Sequence, residues 1–351
     1  MGRDGPTRDP TETVRGRPSP ADARAPVAPS GADLVGAARV LRAGAGTQGF
    51  LARTKELDAW HETRLRPAPG LVLRLSLLRR ALARLGGRIT RTPAMPVPRP
   101  PAGDVELTFV GHASVMLTTA SQRVLTDPWL TDRLFGLRRF AAPSLAPVDA
   151  ADVSLVLISH AHRDHLHLPS LDRLPRTATV VVPPGCGALL RGLGFPRVAE
   201  LGPGRVYAQD DLQICAVPVR HSGRRGFGRR AACGFVLRAH EKTVYFAGDT
   251  GYFSGFAEIG RRFSPDVALL PIGGYEPIAL RHEHMSPVDA LVAFHDLGAR
   301  CLVPIAWGAL PLAYELPEEP ILWLQEEAER WGVGRQLLVL PPGGTRRLGV
   351  P

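Results

Sequence analysis

The sequence predicts a mixed α/β fold with layers of helix outside layers of sheet, preceded by a basic, partly disordered N-terminal arm. From Val105 onward, short apolar runs typical of strands are interleaved with helical segments, which is the pattern of a layered α/β domain. Residues 1–100 carry 18 Lys+Arg against 8 Asp+Glu, so the whole formal charge of +10 lies in this part of the chain. Residues 101–351 are therefore neutral overall.

The arm is predicted to have two parts. Residues 1–46 are rich in Pro, Gly, Ala and Arg without sustained hydrophobic periodicity, so we expect them to be disordered. Residues 47–100 are predicted to form a basic helical arm and a stiff proline-rich linker. One helical face carries a leucine stripe with the arginines largely off it: Leu71, Leu75, Leu78, Leu82 and Leu85, against Arg79, Arg80, Arg84 and Arg88. Such a helix can dock on the main domain, the commoner use of an apolar stripe, or contact an anionic membrane surface through residues 71–88.

Residues 101–351 are predicted to form the main domain. Strands are predicted at residues 105–110, 114–118, 123–126, 153–158, 179–182, 212–219, 234–237, 243–247, 267–270 and 302–305. Helices are predicted near residues 187–193 and 254–263. A third helix should begin at Pro287, with Ser286 as its N-cap.

Composition narrows the class of protein. No apolar run approaches the ~20 residues of a membrane span, and the amino terminus lacks the apolar centre of a secretory signal, so we expect a cytoplasmic protein, peripheral at the inner membrane surface if the arm binds lipid. The four cysteines are scattered, which indicates reduced core residues rather than a disulfide framework. Because the main domain is neutral, a nucleic-acid partner is not expected.

The central motif is the loop Ser159-His160-Ala161-His162-Arg163-Asp164-His165, which directly follows the apolar run of residues 153–158. A buried strand would deliver this loop to the edge of a sheet. His160 and His162, two residues apart, can share one metal ion, and Asp164 and His165 can reach a second. One short loop can therefore begin two metal sites.

This HxHxDH pattern resembles the signature of the metallo-β-lactamase superfamily. His221 and Asp249 follow in the order of that family, with Gly248 and Gly251 flanking the aspartate, as a tight turn requires. Further matching segments are Gly111-His112-Ala113-Ser114, Leu125-Thr126-Asp127-Pro128, residues 271–277 and His284-Met285-Ser286-Pro287. Together they resemble the branch that contains N-acyl phosphatidylethanolamine phospholipase D and the ascorbate-6-phosphate lactonases. The similarity covers about residues 105 to 345.

The resemblance implies a four-layer αββα sandwich with its metal site at one end of the two sheets. It implies that three histidines hold the first metal and that Asp249 bridges to a second: the metal ligands are His160, His162, Asp164, His165, His221 and Asp249. It assigns catalytic roles to Asp164, Asp249 and His284, the last through substrate contact. The expected cofactor is zinc, as one or two ions, with manganese or iron as alternatives.

The chain departs from that branch at the last ligand. A final histidine precedes Trp-Gly in the branch, whereas Ala306 precedes Trp307-Gly308 here. The second metal is then expected to be weaker, more solvated or absent, unless His282 or His284 substitutes. Asp127 is expected to orient a ligand, and His112 either to do so, to approach substrate or simply to pack. Weaker expectations assign Tyr252 and Tyr275 to an oxyanion, and Arg281 or Arg224 to a phosphate.

The sequence thus favours a metal-dependent hydrolase that uses a metal-bound hydroxide on a phosphodiester, like phospholipase D, or on a related ester. Its substrate would be a small molecule or a lipid, and the oligomeric state stays open. The alternatives are a lactonase or carboxylic-ester hydrolase on the same fold, and a catalytically weakened regulatory relative, which Ala306 would explain.

Overall fold

The structure is a computed structural model that describes residues 70–225 and 230–348. The predicted disordered segment of residues 1–46 and the first part of the predicted arm, residues 47–69, lie outside the described residues. No helix within the described ranges is long and apolar enough to cross a membrane.

The described residues form fifteen strands and six α-helices, with three 3₁₀ turns at Gly187–Leu193, Ile278–Leu280 and Gly334–Gln336. In chain order the elements are α1 (Gly70–Leu85), β1 (Val105–Gly111), β2 (Ser114–Thr118), β3 (Arg123–Thr126), β4 (Arg133–Leu134), β5 (Leu137–Arg138), α2 (Pro147–Ala151), β6 (Leu155–Leu157), α3 (Leu168–Leu171), β7 (Thr179–Val182), β8 (Val198–Glu200), β9 (Val206–Gln209), β10 (Leu212–Val217), β11 (Gly234–Ala239), β12 (Lys242–Phe246), α4 (Gly255–Phe263), β13 (Val267–Pro271), α5 (Pro287–Leu297), β14 (Cys301–Ile305), α6 (Glu319–Arg330) and β15 (Thr345–Leu348).

The strands form two large sheets and one small hairpin. The seven-stranded sheet has the order β15-β1-β2-β3-β6-β7-β8, and the six-stranded sheet has the order β14-β13-β12-β11-β10-β9. In the first sheet β3, β6, β7 and β8 are parallel, whereas β1, β2 and β3 are antiparallel neighbours. In the second, β12, β13 and β14 are parallel, and β9 to β12 are antiparallel.

The inner strands of both sheets are buried on both faces, which confirms the predicted four-layer sandwich. Along β6, Leu155 and Leu157 belong to the core between the sheets, while Val156 belongs to a second core beneath α3. Alternation on a strand buried on both sides explains the continuous apolar run at this point in the sequence. The outer face of the six-stranded sheet is covered by α4, α5 and α6.

The strand directions decide where a site can form. Strands β1, β3 and β6 run the same way in one sheet, and β10, β12, β13 and β14 run the same way in the other. The residues that follow these strands gather at one end of the sandwich, where carboxyl ends of strands meet loops on a rigid scaffold.

Local sequence signals placed most inner elements correctly. Ser286 caps α5 by accepting a hydrogen bond from the backbone N–H of Asp289, whose carboxylate accepts from the Ser286 backbone in return. The elements that pattern alone did not predict are the short helices, α6, the β4–β5 hairpin and the strands β8, β9 and β15. These three strands are sheet edges with partly exposed side chains, so they carry no continuous apolar run. The predicted helix at residues 187–193 is a 3₁₀ turn.

Helix α1 docks on the domain through its arginines rather than its leucines, which corrects the expected docking face. Arg80 Nη1 donates to the backbone oxygens of Tyr314 and Glu315 at 2.7 and 3.0 Å, and Arg84 Nε donates to Arg138 O at 2.9 Å. Four leucines of the stripe point outward: Leu75, Leu78, Leu82 and Leu85 are each about half exposed.

The proline-rich segment after α1 also packs on the domain. Val97 is buried, its N–H donates to Asp149 Oδ2 at 3.0 Å, and its carbonyl accepts from Arg123 Nη2 at 2.6 Å. This end of the predicted linker is therefore part of the domain surface rather than a free spacer.

Candidate metal centre

The loop after β6 carries its side chains into a cluster at the carboxyl ends of the strands. His160 and His165 are fully buried, and His162 is half-buried. The backbone N–H of His165 donates to His162 O at 3.1 Å, so the loop closes into a turn. This turn holds two imidazoles on one side and Asp164 with His165 on the other.

Hydrogen bonds fix the orientation of His160. Ser159 Oγ donates to Asp127 Oδ2 at 2.5 Å, and the same Oγ lies 2.9 Å from His160 Nδ1. Because the hydroxyl proton is already given to the carboxylate, His160 Nδ1 must be the donor to Oγ. The lone pair of His160 is therefore on Nε2, which points into the cluster.

The same reasoning applies to His221. Its Nδ1 lies 3.0 Å from the backbone oxygen of Glu283, which can only accept, so its Nε2 also carries a lone pair. Nε2 of His160 and Nε2 of His221 lie 2.9 and 3.2 Å from His162 Nδ1. One N–H on His162 can satisfy only one of them, so two lone pairs face each other unless a cation lies between them.

These nitrogens fit a metal ion. Donor atoms of His160, His162 and His221 lie within 4.8 Å of one another. For metal–nitrogen bonds of 2.0–2.1 Å in tetrahedral geometry, the nitrogens should be about 3.3 Å apart. The observed separations lie close to that value, and three histidines leave a fourth position for water or substrate. This cluster is called the three-histidine site below.

A second cluster lies on the other side of the loop. His112 Nε2 is 3.1 Å from Asp164 Oδ2, and His165 Nε2 is 3.5 Å from Asp164 Oδ2 and 3.2 Å from Asp249 Oδ2. Within the described part of the chain, His165 Nε2 and Asp249 Oδ1 are buried without a hydrogen-bond partner. Buried polar atoms without partners at a convergent site are typical of an ion-binding position. This group of His112, Asp164, His165 and Asp249 is called the carboxylate site below.

Asp249 lies between the two clusters. Its Oδ2 is 3.2 Å from His165 Nε2 and 3.9 Å from His160 Nε2, so the position suits the bridging role that the resemblance implies. Its backbone conformation depends on Gly248, which has φ of +62°. A Cβ on Gly248 would lie 2.3 Å from the Ser159 Cβ, and one on Gly251 would lie 2.5 Å from His282 O. A larger residue at either position would clash with the neighbouring loop, so both positions require glycine.

Asp127 connects the two clusters from behind. Asp127 follows β3 and is fully buried. Its Oδ1 accepts a hydrogen bond from the backbone N–H of Ser159 at 2.7 Å, and its Oδ2 accepts one from His165 Nδ1 at 2.7 Å. Through Ser159 the same carboxylate orients His160. Carboxylates in this position fix the tautomer and ring orientation of metal-binding histidines.

The two clusters differ in charge. Burial lowers the pKa of His160 well below its usual value, lowers that of His162, and lowers that of His221 to about 4. These imidazoles are therefore neutral at pH 7, as metal ligation requires. In the carboxylate site burial alone would raise the pKa of Asp164 and Asp249, but the neighbouring histidines, His165 first among them, together outweigh burial and hold both pKa values well below their usual range. Both carboxylates stay ionised.

A cavity of about 100 Å³ opens onto both clusters. His162, Asp164, Asp249 and His284 lie at its base, and its wall includes Ala306 and the mainly apolar residues 307–317. His284 lines this cavity, and its Nδ1 is 3.8 Å from Asp249 Oδ2. Sequence reasoning missed Glu315, whose carboxylate accepts from the backbone N–H groups of Gly274 and Glu276 at 2.5 and 3.3 Å. No motif marks this residue, because its role is to hold a distant loop.

The positions of Tyr252, Tyr275, Arg281 and Arg224 do not support the roles that were expected for them at an oxyanion or a phosphate. The Tyr252 hydroxyl donates to Asp296, and the Tyr275 hydroxyl donates to Glu319 Oε1 at 2.9 Å, so neither is directed at the cavity. Arg281 donates to Glu276 and Arg224 is exposed, and neither lines the cavity. The His282 side chain is 59% exposed, and its Nδ1 faces the backbone oxygen of Ala279.

The fold and the two adjacent clusters of candidate metal ligands define a class of metal-binding α/β sandwich proteins. Comparison with known proteins points to the same class. The family described as "Beta-lactamase superfamily domain" matches residues 122–307. An uncharacterized protein of Mycobacterium tuberculosis is 36% identical over 261 residues, which cover 68% of this chain and 69% of the relative. The chain belongs to the beta-lactamase superfamily.

Two further comparisons refine this assignment. Igni18, described as a novel metallo hydrolase of the archaeon Ignicoccus hospitalis, has a TM-score of 0.56 and 27% identity, and the match covers 71% of this chain and 100% of that one. The N-acyl-phosphatidylethanolamine-hydrolyzing phospholipase D 1 of Caenorhabditis elegans is 29% identical over 228 residues, which cover 58% of this chain and 64% of that enzyme. The protein is a metal-dependent hydrolase of the metallo-β-lactamase superfamily.

Proposed function

We propose that this protein hydrolyses a phosphodiester bond in a lipid or small-molecule substrate at the cavity between residues 307–317 and the two clusters. The observation that carries the proposal is the presence of two adjacent clusters of side chains that could each bind a metal ion, with Asp249 between them. Adjacent metal sites are typical of enzymes that displace an oxygen at phosphorus in line, because each ion can stabilise one of the two oxygens.

Six residues are the proposed metal ligands: His160, His162 and His221 in the three-histidine site, Asp164 and His165 in the carboxylate site, and Asp249 between them. Zinc is the proposed ion, since nitrogen-rich tetrahedral sites favour it. When bound, such ions acidify water and polarise a phosphoryl oxygen. The chain contributes neutral imidazoles, ionised carboxylates and a second layer of hydrogen bonds that keeps their lone pairs directed inward.

Asp164, Asp249 and His284 are the proposed catalytic residues. The ionised carboxylates of Asp164 and Asp249 face the cavity, where they can accept a hydrogen bond from the attacking water and orient it. His284 lies beside Asp249 and is exposed enough to reach substrate, so it can donate a hydrogen bond to a phosphoryl or leaving-group oxygen. Gly274 supports this position, because a Cβ there would lie 3.0 Å from His284 Nδ1.

A lipid substrate is supported by the apolar surface around the cavity. Leu312 and Leu316, on the cavity wall, are about half exposed. Helix α1 is anchored to the same segment by Arg80 and presents its leucines outward. Phe135, 69% exposed, extends this surface toward the metal-binding loop, where Arg163 lies 5.9 Å from its ring.

We propose that this surface lies on an anionic lipid bilayer. Arg79 is exposed on α1 and Arg88 is exposed just after the end of this helix, and the excess positive charge of the chain lies in residues 1–100. Apolar burial together with basic side chains near the surface is what holds a peripheral helix on such membranes. The phosphodiester of a membrane phospholipid would then be presented to the cavity without leaving the bilayer.

The catalytic proposal is tested with purified protein, a chromogenic phosphodiester, a carboxylic ester and a lactone. We expect phosphodiester turnover that stops after dialysis against a chelator and returns with zinc. Turnover of only the ester or the lactone would instead favour the alternative hydrolase, and a metal-loaded protein that hydrolyses none of the three would favour the regulatory alternative. N-acyl phosphatidylethanolamine, the substrate in the name of the nematode relative, is the lipid to try next.

The membrane proposal is tested by co-sedimentation of the full chain with vesicles of phosphatidylserine and phosphatidylcholine. Leu78→Gln with Leu82→Gln should weaken binding at least several-fold, because both side chains are 53–54% exposed and would enter the lipid. Leu322→Gln, at a leucine on α6 that is 62% exposed, is the matched control and should bind normally. Equal binding of all three proteins would contradict the proposed surface.

A further inference from the structure

Ala306 leaves the carboxylate site one ligand short of the pattern that the resemblance implies, and a different histidine lies next to it. The backbone N–H of Ala306 donates to the backbone oxygen of His112 at 3.0 Å. Both residues are in the left-handed region, with φ of 56° for Ala306 and 58° for His112. Non-glycine residues in this region cost about 1–3 kcal/mol each and cluster at functional sites. The chain therefore keeps two strained residues face to face at the carboxylate site.

The His112 side chain is directed at this site. Its ring is 5% exposed and packs edge-on against Trp129 with centroids 5.4 Å apart. Its Nε2 lies 3.1 Å from Asp164 Oδ2, and one donor atom each from His112, Asp164 and His165 falls within 4.8 Å of the others. The loop between β1 and β2 thus places an imidazole beside Asp164, where a nitrogen ligand could complete the carboxylate site.

The spacing of the donor atoms also fits ligation of one shared ion, at separations within which His112 and Asp164 form a hydrogen bond in its absence. The separations are 3.1 Å from His112 to Asp164, 3.5 Å from Asp164 to His165, and 3.2 Å from His165 to Asp249. Tetrahedral bonds of 2.0–2.2 Å to nitrogen and oxygen place donor atoms about 3.3 Å apart. All three separations lie within a few tenths of an ångström of that value, and the unpartnered His165 Nε2 would gain a partner.

The other candidate histidines fit less well. His282 is exposed and turned toward the backbone of Ala279. His284 approaches the clusters at Asp249, at 3.8 Å, but its ring stacks edge-on with His221 at 5.1 Å, so it lies on the side of the three-histidine site. Neither belongs with Asp164 and His165 in a group of mutually close donor atoms among the described residues.

We propose that His112 Nε2 replaces the missing histidine, so that His112, Asp164, His165 and Asp249 hold a second divalent transition-metal ion. The proposal rests on the proposed metal-dependent function, and it assigns a residue from a different strand end to a ligand position that the sequence leaves vacant. Ala306 is then a space-making residue: its methyl group lines the cavity where a second imidazole would otherwise crowd the substrate.

The test is the metal content of the full-length protein, loaded with zinc, dialysed and measured by elemental analysis. We expect two equivalents in the native protein and one in His112→Asn, because asparagine tolerates the left-handed backbone but is a poor zinc ligand. The double variant His112→Asn with Ala306→His supplies an imidazole from the position that follows β14, so the second metal equivalent should be restored. His284→Asn and His282→Asn are matched controls that should keep two equivalents.

Ala306→His alone tests the proposal without altering His112. If His112 already fills the position, this variant binds two equivalents, as the native protein does. A native protein with one equivalent that rises to two in Ala306→His would overturn the proposal, and so would His112→Asn with two equivalents. No metal in the native protein would instead reject the proposed function itself. Melting temperatures, recorded for each variant with and without zinc, separate loss of a ligand from loss of the fold.

Discussion

The three-histidine site and the carboxylate site are built from the same loop but on opposite electrostatic principles. In the first, burial lowers the pKa of all three imidazoles and leaves a neutral set of nitrogen lone pairs. In the second, two ionised carboxylates surround His165, and burial, which would lower its pKa, is outweighed by Asp249, Asp164 and Asp127, which raise it well above its usual value. A neutral nitrogen set and an anionic mixed set suit different cations, because imidazole favours zinc while carboxylate oxygen also accepts manganese.

Despite this difference, the two sites share supports. Asp127 reaches the first through Ser159 and the second through His165, and Gly248 lets Asp249 approach both. Variants can therefore be chosen that affect one site, both sites or neither.

His162→Ala should have the largest effect and should be confined to the three-histidine site. Two imidazoles and a bridging carboxylate hold zinc poorly, so we expect loss of about one metal equivalent and about a thousandfold lower turnover, since a catalytic ion contributes several kcal/mol. Elemental analysis and a phosphodiester assay measure both. His295→Ala, an exposed histidine on α5, is the control. Full metal content in His162→Ala would show that this cluster does not bind the ion.

Gly248→Ala should disturb both sites through the backbone. A Cβ 2.3 Å from the Ser159 Cβ, added to a residue with φ of +62°, forces the two loops apart. We expect a loss of about 3 kcal/mol of stability, which is large for a methyl group, together with loss of metal from both sites. Thermal unfolding checks this against Gly192→Ala, where an added Cβ meets nothing within 4 Å. Equal melting temperatures would refute the close-approach argument.

Asp127→Asn should weaken both sites more gently. The amide of asparagine would place an N–H group opposite Ser159 or His165, both of which are hydrogen-bond donors at this position. One hydrogen bond is then lost, and the imidazoles of His160 and His165 lose their fixed orientation. Loss of such a partner typically costs 10–100-fold in metal affinity or activity, and we expect about that. Asp149→Asn is the control, because this carboxylate is equally buried and pairs with Arg123 at 2.6 Å away from the metal-binding loop. It should lower stability and leave zinc affinity unchanged; the same affinity loss in both variants would show a general folding effect.

His284→Gln should have the smallest effect and should spare both metals. The side chain lines the cavity without completing either cluster, so we expect a fall in turnover of about tenfold at unchanged metal content, the size of one lost hydrogen bond to a charged group. His282→Gln, two residues away and exposed, should match the native protein. If His284→Gln lost a metal equivalent, the division of the centre into these two sites would be wrong.

The sequence by itself determined the layered fold, most inner strands and the loop that begins both clusters. These features depend on local patterns: an apolar run such as residues 153–158 must be buried on both faces, and Ser286 with Asp289 must cap a helix wherever it lies. The order of His160, His221 and Asp249 along the chain also pointed to a metal centre, through resemblance to a known family.

Only the tertiary structure decided which side chains meet. His112 and Ala306 are nearly two hundred positions apart, and they touch because β1 and β14 belong to different sheets whose carboxyl ends meet at one end of the sandwich. The same applies to α1, whose leucine stripe predicted a buried face, whereas Arg80 and Arg84 find backbone carbonyls on the domain surface and turn the leucines outward. Periodicity reports which residues share a face, but the partner that the face meets depends on contacts between distant segments, which a local pattern does not encode.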